Sequence, residues 1–243
     1  MKIGVINGNT NETVSAQILG SARKAVSSEC EVTAITPEFG VPGVESFLDG
    51  ALASVGVCDA IAGHKKDFDA FVIACFSDPG LFAARTICEI PVLGIAQASM
   101  LTAIQIGSRF SLISPQPRIR GVLEDIVNRY CFQTFYNGTV TIPLTVSQSV
   151  DSNEKKLDLL RKACKEALEQ QKSDVLILAG AVLAGLDEVL QSELCVPVLD
   201  PVKCALTMAE GLVRMRITHN HDLYFDAGEK PFRHELRYLK KGS

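Results

Sequence analysis

The amino-acid sequence predicts an α/β protein made of two pseudo-symmetric, doubly wound parallel-sheet lobes that face each other across a cleft. Two observations predict this fold class. Short apolar runs rich in β-branched residues alternate with amphipathic stretches, and one such α/β unit occurs twice along the chain. With 243 residues, of which 47% are hydrophobic, the chain is long enough for two cores of about 100 residues each.

The strand candidates are short and almost continuously apolar, which is typical of parallel strands that are covered on both faces. They are Lys2–Asn7, Glu31–Thr36, Ala70–Cys75, Val92–Gly94, Arg109–Ile113, Val175–Leu178 and Val198–Leu199. Stretches with the 3.6-residue spacing of helices include Glu12–Val26, Asn153–Gln170 and Val202–Met215. Asn11 marks the start of the first helix, and Asp78 before Pro79 predicts an N-cap that is followed by a first-turn proline.

Two halves of the chain repeat the same unit. Three segments match in one order at offsets of 107, 105 and 106 residues: Ile3–Asn7 with Phe110–Ser114, Asp69–Cys75 with Asp174–Gly180, and Ile90–Gly94 with Val196–Asp200. A single match would mean little, because apolar strands of unrelated α/β segments resemble one another. Three matches in the same order indicate an internal duplication.

The repeat predicts the organisation of the chain. We expect a first α/β lobe over residues 1–96, a second over 97–205, and a C-terminal helix end and tail over 206–243. The tail has enough apolar residues to pack back on the core or on a neighbouring subunit. Open parallel sheets bind ligands beyond the carboxyl ends of their strands. The functional site is therefore expected in the cleft, just after the strands.

Two segments of the first lobe carry candidate site residues. In the turn after the first strand, Asn7, Asn9 and Thr10 could hold a carbonyl or carboxylate group at a helix N-terminus, or could form a plain turn. Cys75 stands at the carboxyl end of a strand and next to a helix start, where the helix dipole favours a thiolate. The alternative for Cys75 is a buried, inert cysteine.

Further candidates lie beside these segments and in the second lobe. Phe76, Ser77 and Asp78 follow Cys75 and are expected beside a ligand. Ser99 either caps a helix or donates to a ligand. Gly180, with its neighbour Ala181, would let the backbone approach a ligand closely, although a helix-packing glycine is the alternative. Asp200 follows the last strand of the second lobe.

Composition excludes several functional classes. The formal net charge is −4, from 24 basic and 28 acidic residues that are interspersed, so we expect no binding to nucleic acid or to membranes. No apolar run reaches the roughly 18 residues of a membrane span, and we expect a soluble, cytoplasmic protein. Composition leaves a small-molecule or a protein partner; we expect a small-molecule substrate, and we expect the protein to form a homo-oligomer.

The eight cysteines include no CxxC pair and are interpreted as reduced thiols. Near the C-terminus, His219, His221 and Asp222 could in principle bind a metal ion. No further cysteine or histidine pair lies nearby in the sequence, so we favour a polar tail without a metal.

Five segments carry a resemblance to a known family: the turn Ile6–Thr10, Asp69–Leu81 (DAFVIACFSDPGL), Ile90–Met100 (IPVLGIAQASM), Asp174–Leu186 (DVLILAGAVLAGL) and Val196–Asp200 (VPVLD). They resemble the aspartate/glutamate/hydantoin racemase superfamily, most closely its hydantoin and allantoin racemase branch. The resemblance implies catalysis without pyridoxal phosphate or metal, so no cofactor is expected. In racemising members, one cysteine from each lobe flanks the substrate Cα. By the same resemblance, Cys75 is the first-lobe cysteine, and Asn9 and Thr10 belong to the substrate-holding turn.

At the position of the second cysteine, both the family pattern and the internal repeat place Gly180. Glycine cannot transfer a proton. Three interpretations follow: a racemase or isomerase acting on an amino-acid, hydantoin or ureide-like substrate, in which another group or water replaces the second thiol; a single-thiol lyase or hydrolase that uses Cys75 as proton donor or nucleophile; and a silent ligand-binding protein. Arylmalonate decarboxylases of the same superfamily resemble the second case, because they keep one thiol of the two, in the opposite lobe.

Overall fold

A computed structural model describes residues 1–143 and 153–225 as two parallel sheets of four strands each, which confirms the predicted fold class. The first sheet has the strand order β2-β1-β3-β4, and the second has the order β6-β5-β7-β8. The strands are β1 (Lys2–Asn7), β2 (Glu31–Ile35), β3 (Ala70–Ala74), β4 (Val92–Gly94), β5 (Phe110–Ser114), β6 (Tyr136–Thr141), β7 (Val175–Leu178) and β8 (Val198–Leu199). The central strands β3, β5 and β7 are buried at every residue. This burial explains their continuous apolar sequence.

Strand β6 is the one strand of the described sheets that the sequence analysis missed. Its sequence, YNGTVT, is polar in its first half, and Gly138 has a positive φ of 141°. The strand lies at the edge of the second sheet and is only half-buried over its first three residues. An edge strand does not need an apolar sequence on both faces, so no apolar run marks it.

Eight α-helices surround the sheets in the described ranges. They are α1 (Glu12–Ala25), α2 (Phe47–His64), α3 (Leu81–Ile87), α4 (Ile95–Ile106), α5 (Arg120–Arg129), α6 (Asn153–Glu169), α7 (Asp187–Leu194) and α8 (Pro201–Met215). Asn11 caps α1 as predicted, because its side chain accepts from the backbone N–H of Thr13. The prediction for the third helix was wrong. It begins at Leu81, with Gly80 as the N-cap at a φ of 73°.

The last helix of each repeat joins the two lobes. Helix α8 packs against β3 and β4 of the first sheet and against α1, whereas α4 packs against β7 and β5 of the second sheet and against α8. The largest buried apolar cluster accordingly contains residues of both sheets, among them Val72 and Phe110. Residue 97 lies within α4 and residue 206 lies within α8, so each of these helices runs from one predicted segment into the next.

After α8, the chain up to Phe225 returns to the first lobe. The Thr218 hydroxyl donates to the carbonyl of Glu89 at 2.8 Å, and the Tyr224 ring lies 5.9 Å from the guanidinium carbon of Arg85. The apolar residues from Phe232 onward that the tail prediction used lie outside the described residues. Within residues 1–143 and 153–225, no helix is both long and apolar enough to cross a membrane. In the same ranges, no three His, Cys, Asp or Glu side chains are grouped so that they could hold a metal ion.

Strand register places the ends of the central strands side by side. Asn7 pairs with Ala74 in the first sheet, so the next residues, Gly8 and Cys75, are neighbours. In the second sheet Ile113 pairs with Leu178. Two residues further along each chain segment, Pro115 and Gly180 are neighbours in the same way.

Candidate active site

A cavity of about 150 Å³ lies between the carboxyl ends of the two sheets. Four segments that follow central strands contribute to its lining: Asn9 after β1, Cys75 after β3, Gln116 after β5 and Gly180 after β7. Of the residues predicted for the site, the structure brings together in this lining Asn9, Cys75, Phe76, Ser77, Gly180 and Ala181. The cavity occupies the place where open parallel sheets bind ligands.

Cys75 presents a partly buried thiol to the cavity. Burial raises the pKa of this thiol above its ordinary value, because a thiolate loses hydration there, while a hydrogen bond with the Ser77 hydroxyl opposes the rise. The Sγ–Oγ distance is 3.4 Å. Cys75 therefore favours its protonated form near neutral pH, and Ser77 supports the thiolate when it forms.

Gly8 makes room for this thiol. A Cβ atom placed on Gly8 would lie 2.3 Å from Cβ of Cys75 and 2.8 Å from its Sγ. No side chain fits at such distances. The glycine of the Asn7–Thr10 turn is thus required by close approach to the cysteine.

The asparagines of this turn have separate tasks. Buried Asn7 donates through its amide Nδ2 to Asn9 Oδ1, to the carbonyl of Asn11 and to Ser15 Oγ, at 3.0 to 3.1 Å, which stabilises the turn. Asn9 Oδ1 also accepts from the backbone N–H of Asn11 at 3.0 Å. The oxygen of Asn9 is thereby occupied within the turn, and its NH₂ group is the part that can donate to a ligand.

Neither Asn7 nor Thr10 reaches the cavity lining. The backbone N–H of Thr10 donates to the carbonyl of Val41 at 3.0 Å, which joins the turn to the loop before α2. Three residues of that loop's continuation, Pro42 to Val44, line the cavity. In the structure, Thr10 therefore supports the cavity through this backbone contact with the loop.

The structure gives Asp78 a task different from the two that the sequence suggested. Its carboxylate accepts from the backbone N–H groups of Ala96 and Gln97, at 3.0 and 2.9 Å, and from the Tyr130 hydroxyl at 2.9 Å. It therefore caps α4 rather than α3, and it is absent from the cavity lining. Burial raises the pKa of Asp78 to about 6 despite these donors.

Ser99 and Asp200 also lie outside the cavity lining. Ser99 is fully buried within α4 and donates to the carbonyl of Ala96 at 3.1 Å, so it neither caps the helix nor faces a ligand. Asp200 caps α8 by accepting from the backbone N–H groups of Val202 and Lys203. Asp78 and Asp200, the two carboxylates expected beside a ligand, therefore cap helices instead. The sequence could not show this, because it does not indicate which backbone amides a carboxylate reaches.

Glu45 and Gln116 line the cavity but were not predicted. Gln116 Nε2 donates to Glu45 Oε1 at 3.2 Å, which links the loop before α2 to the end of β5 across the cleft. Glu45 lies in an irregular loop, so no local sequence pattern marks it. Pro115 also lines the cavity, and its position in the repeat, equivalent to Gly8, is the signal that could have indicated it.

Comparison with known proteins agrees with this architecture. A family model described as Asp/Glu/Hydantoin racemase matches residues 3–209. A hydantoin racemase from Pseudomonas sp. (strain NS671) is 37% identical over 214 residues, which cover 88% of this chain and 86% of that protein. The solved structure of an allantoin racemase from Klebsiella pneumoniae superposes with a TM-score of 0.92 at 33% identity, covering 96% of this chain and 97% of that one. Unliganded arylmalonate decarboxylase, at 16% identity and a TM-score of 0.63 over 87% of this chain and 92% of that one, shares the fold.

Proposed function

The chain belongs to the Asp/Glu/hydantoin racemase family, and from this premise we propose that it transfers a proton at the carbon next to a carbonyl of a small cyclic ureide such as a hydantoin or allantoin. The observation that carries the proposal is Cys75, whose thiol lines the cavity between the lobes. The raised pKa of this thiol lies closer to the pKa of a weak carbon acid than the pKa of an ordinary cysteine does. No resident cofactor enters the proposed step.

In this step the Cys75 thiolate takes the proton from Cα of the substrate. The Cα–H bond breaks, an S–H bond forms, and the electron pair of the broken bond moves into the adjacent carbonyl as an enolate. The NH₂ group of Asn9 is the donor that we assign to a substrate carbonyl, since its oxygen is occupied within the turn. While the enolate is bound, the thiol exchanges its proton with water. The thiol then returns a proton from the solvent to Cα, which restores both the substrate carbon and the thiolate.

A second candidate function is decarboxylation with protonation of the product, and Gly180 favours it. Gly180 offers no second proton donor at the repeat position of Cys75. For a substrate with a carboxylate on Cα, the C–C bond would break, CO₂ would leave, and the electron pair would remain as an enolate. Cys75 would donate the proton that Cα needs. Burial, which keeps this thiol protonated, suits such a step.

The test uses single enantiomers of 5-substituted hydantoins and of allantoin in D₂O. Loss of the Cα proton is followed by NMR, optical purity by chiral chromatography, and CO₂ release from arylmalonates in parallel, each above the rate without protein. We expect deuterium at Cα of a ureide. The Cys75→Ser variant should lower this exchange by at least about 10³-fold, because a hydroxyl is far less acidic than a thiol.

The matched control is Cys195→Ser, because Cys195 is an exposed cysteine outside the cavity lining. It should exchange at the rate of the unmodified protein. Exchange that survives Cys75→Ser would contradict the assignment of Cys75. CO₂ release without exchange of any ureide would replace the first function with the second.

A further inference from the structure

Pro115 is a buried residue that lines the cavity beside Gly180. A Cβ atom placed on Gly180 would lie 2.9 Å from both Cγ and Cδ of Pro115. Atoms in well-packed proteins do not approach so closely, and a proline ring is closed onto its own backbone, so it cannot rotate aside. The backbone of Gly180 is extended, with a φ of 177°, and would itself accept any residue. The space for a side chain at position 180 is therefore already filled by the Pro115 ring.

The first lobe shows the reverse arrangement. In the repeat, Gly8 corresponds to Pro115 at an offset of 107, and Cys75 corresponds to Gly180 at an offset of 105. A side chain on Gly8 would collide with the Cys75 thiol, as described above. In each lobe, the two residues that follow neighbouring central strands thus lie so close together that only one of them can carry a side chain there. The thiol occupies this room in the first lobe, and the Pro115 ring occupies it in the second.

We infer that Pro115 is a specificity-determining residue, which confines proton transfer to the face of the substrate on which Cys75 lies. This inference rests on the proposed function. The Pro115 ring has no proton to exchange, and it excludes a thiol at position 180. The lining residues Ile119 and Ala181 are apolar as well, whereas Gln116, next to Pro115, is polar and donates to Glu45. After the thiol has exchanged its proton with D₂O, the carbon receives a deuteron from Cys75 on the side from which it lost its proton, so exchange proceeds with retention of configuration.

The steric part is tested by thermal unfolding of Gly180→Cys, Pro115→Ala and the double variant. Alanine removes Cγ and Cδ, the two ring atoms that meet the added Cβ. Gly180→Cys alone should lower Tm by about 5 °C through overpacking. Adding Gly180→Cys to the Pro115→Ala background should lower Tm by less than half as much. Pro115→Gly, which copies Gly8 of the first lobe, is a second background in case Pro115→Ala folds poorly.

The catalytic part compares the rate of inversion with the rate of exchange for one enantiomer in D₂O. The unmodified protein should exchange the Cα proton at least about ten times faster than it inverts the centre. In the Pro115→Ala/Gly180→Cys variant, a second thiol can act from the wall of the second lobe. Inversion should then approach the rate of exchange, and this gain should disappear when Cys75→Ser is added.

The two parts fail separately. A Gly180→Cys protein with unchanged Tm, or one that is destabilised equally in both backgrounds, would overturn the role of Pro115 whether or not the protein is active. Inversion by the unmodified protein as fast as its exchange would overturn the restriction to one face while leaving the proposed function intact. Absence of any Cα exchange in the unmodified protein would instead contradict the proposed function.

Discussion

The two lobes place a carboxylate at the same point of their last helices but supply it from different positions in the chain. In the first lobe Asp78, from the loop after β3, caps α4, and Gly94 stands at the N-cap position. In the second lobe the N-cap residue is Asp200 itself, which caps α8. A Cβ atom on Gly94 would lie 2.2 to 2.4 Å from the carboxylate atoms of Asp78. The glycine is needed because the carboxylate already occupies its side-chain space.

Each lobe also lends a hydroxyl to the other lobe's capping carboxylate. Tyr130, which follows α5 in the second lobe, donates to Asp78, and Ser21 of α1 in the first lobe donates to Asp200 at 2.8 Å. The pair of Gly8 and Cys75 and the pair of Pro115 and Gly180 follow the same pattern as these contacts. In both repeats a side chain or a charge occupies the equivalent place, but a different residue supplies it.

The largest effect on the comparison is expected from Gly8→Ala. The added methyl group would compete with Cys75 for the single side-chain space of the first lobe. Displacement of the thiol should lower Cα exchange by about 100-fold, and overpacking should lower the free energy of unfolding by about 1–3 kcal/mol. Gly20→Ala, at an exposed position of α1 with nothing within 4 Å, is the control and should leave exchange unchanged. Normal exchange in Gly8→Ala would show that the first lobe has room for two side chains.

A double-mutant cycle tests whether the carboxylates that cap α4 and α8 occupy equivalent positions in the two lobes. Asp78→Ala leaves two backbone amides and the partly buried Tyr130 hydroxyl without their acceptor, and should lower the free energy of unfolding in denaturant by about 2–4 kcal/mol. Gly94→Asp alone should also destabilise, because two carboxylates would share one space. The combined variant copies the second lobe and should recover at least about 1 kcal/mol relative to Asp78→Ala.

Asp125→Ala is the control for this cycle, since the ion pair of Asp125 with Arg129 is exposed. Its effect should stay within about 0.5 kcal/mol. Strictly additive costs of Asp78→Ala and Gly94→Asp would mean that the two lobes do not use equivalent cap positions.

The smallest expected effect concerns how the rate of Cα exchange by Cys75, in the first lobe, depends on pH. A thiolate base acts only when deprotonated, and burial raises the pKa of Cys75, so the exchange rate should increase as pH rises toward that pKa. The Ser77 hydroxyl lowers the same pKa, and Ser77→Ala should therefore move the profile to higher pH and reduce exchange about five-fold at pH 7. Ser192→Ala, at an exposed position of α7, should keep the original profile. A shift to lower pH in Ser77→Ala would contradict the assignment of Cys75 as a base.

The α/β class, the positions of the central strands to within one residue at each end, and the duplication could all be predicted from the sequence. These features depend on local patterns of apolar residues, which are visible in the sequence itself. The run Val175–Leu178, for example, is apolar in the sequence and forms the buried strand β7. The sequence also determined the family, since the resemblance of the quoted segments is confirmed by a family model over residues 3–209. The correspondence of position 180 to position 75 followed from the repeat, because a repeat compares residues that are far apart in the chain.

Which polar side chains line the cavity and which stabilise the fold became clear from the three-dimensional structure alone. Asp78 and Ser77 are neighbours in the sequence, yet one caps a helix that begins at Ile95 and the other contacts the Cys75 thiol. The partner of a buried carboxylate is a backbone amide, and every residue except proline carries one, so the sequence does not single it out. The space beside Gly180 was decided in the same way, because a glycine leaves open which neighbour fills its place, and here strand register makes that neighbour Pro115.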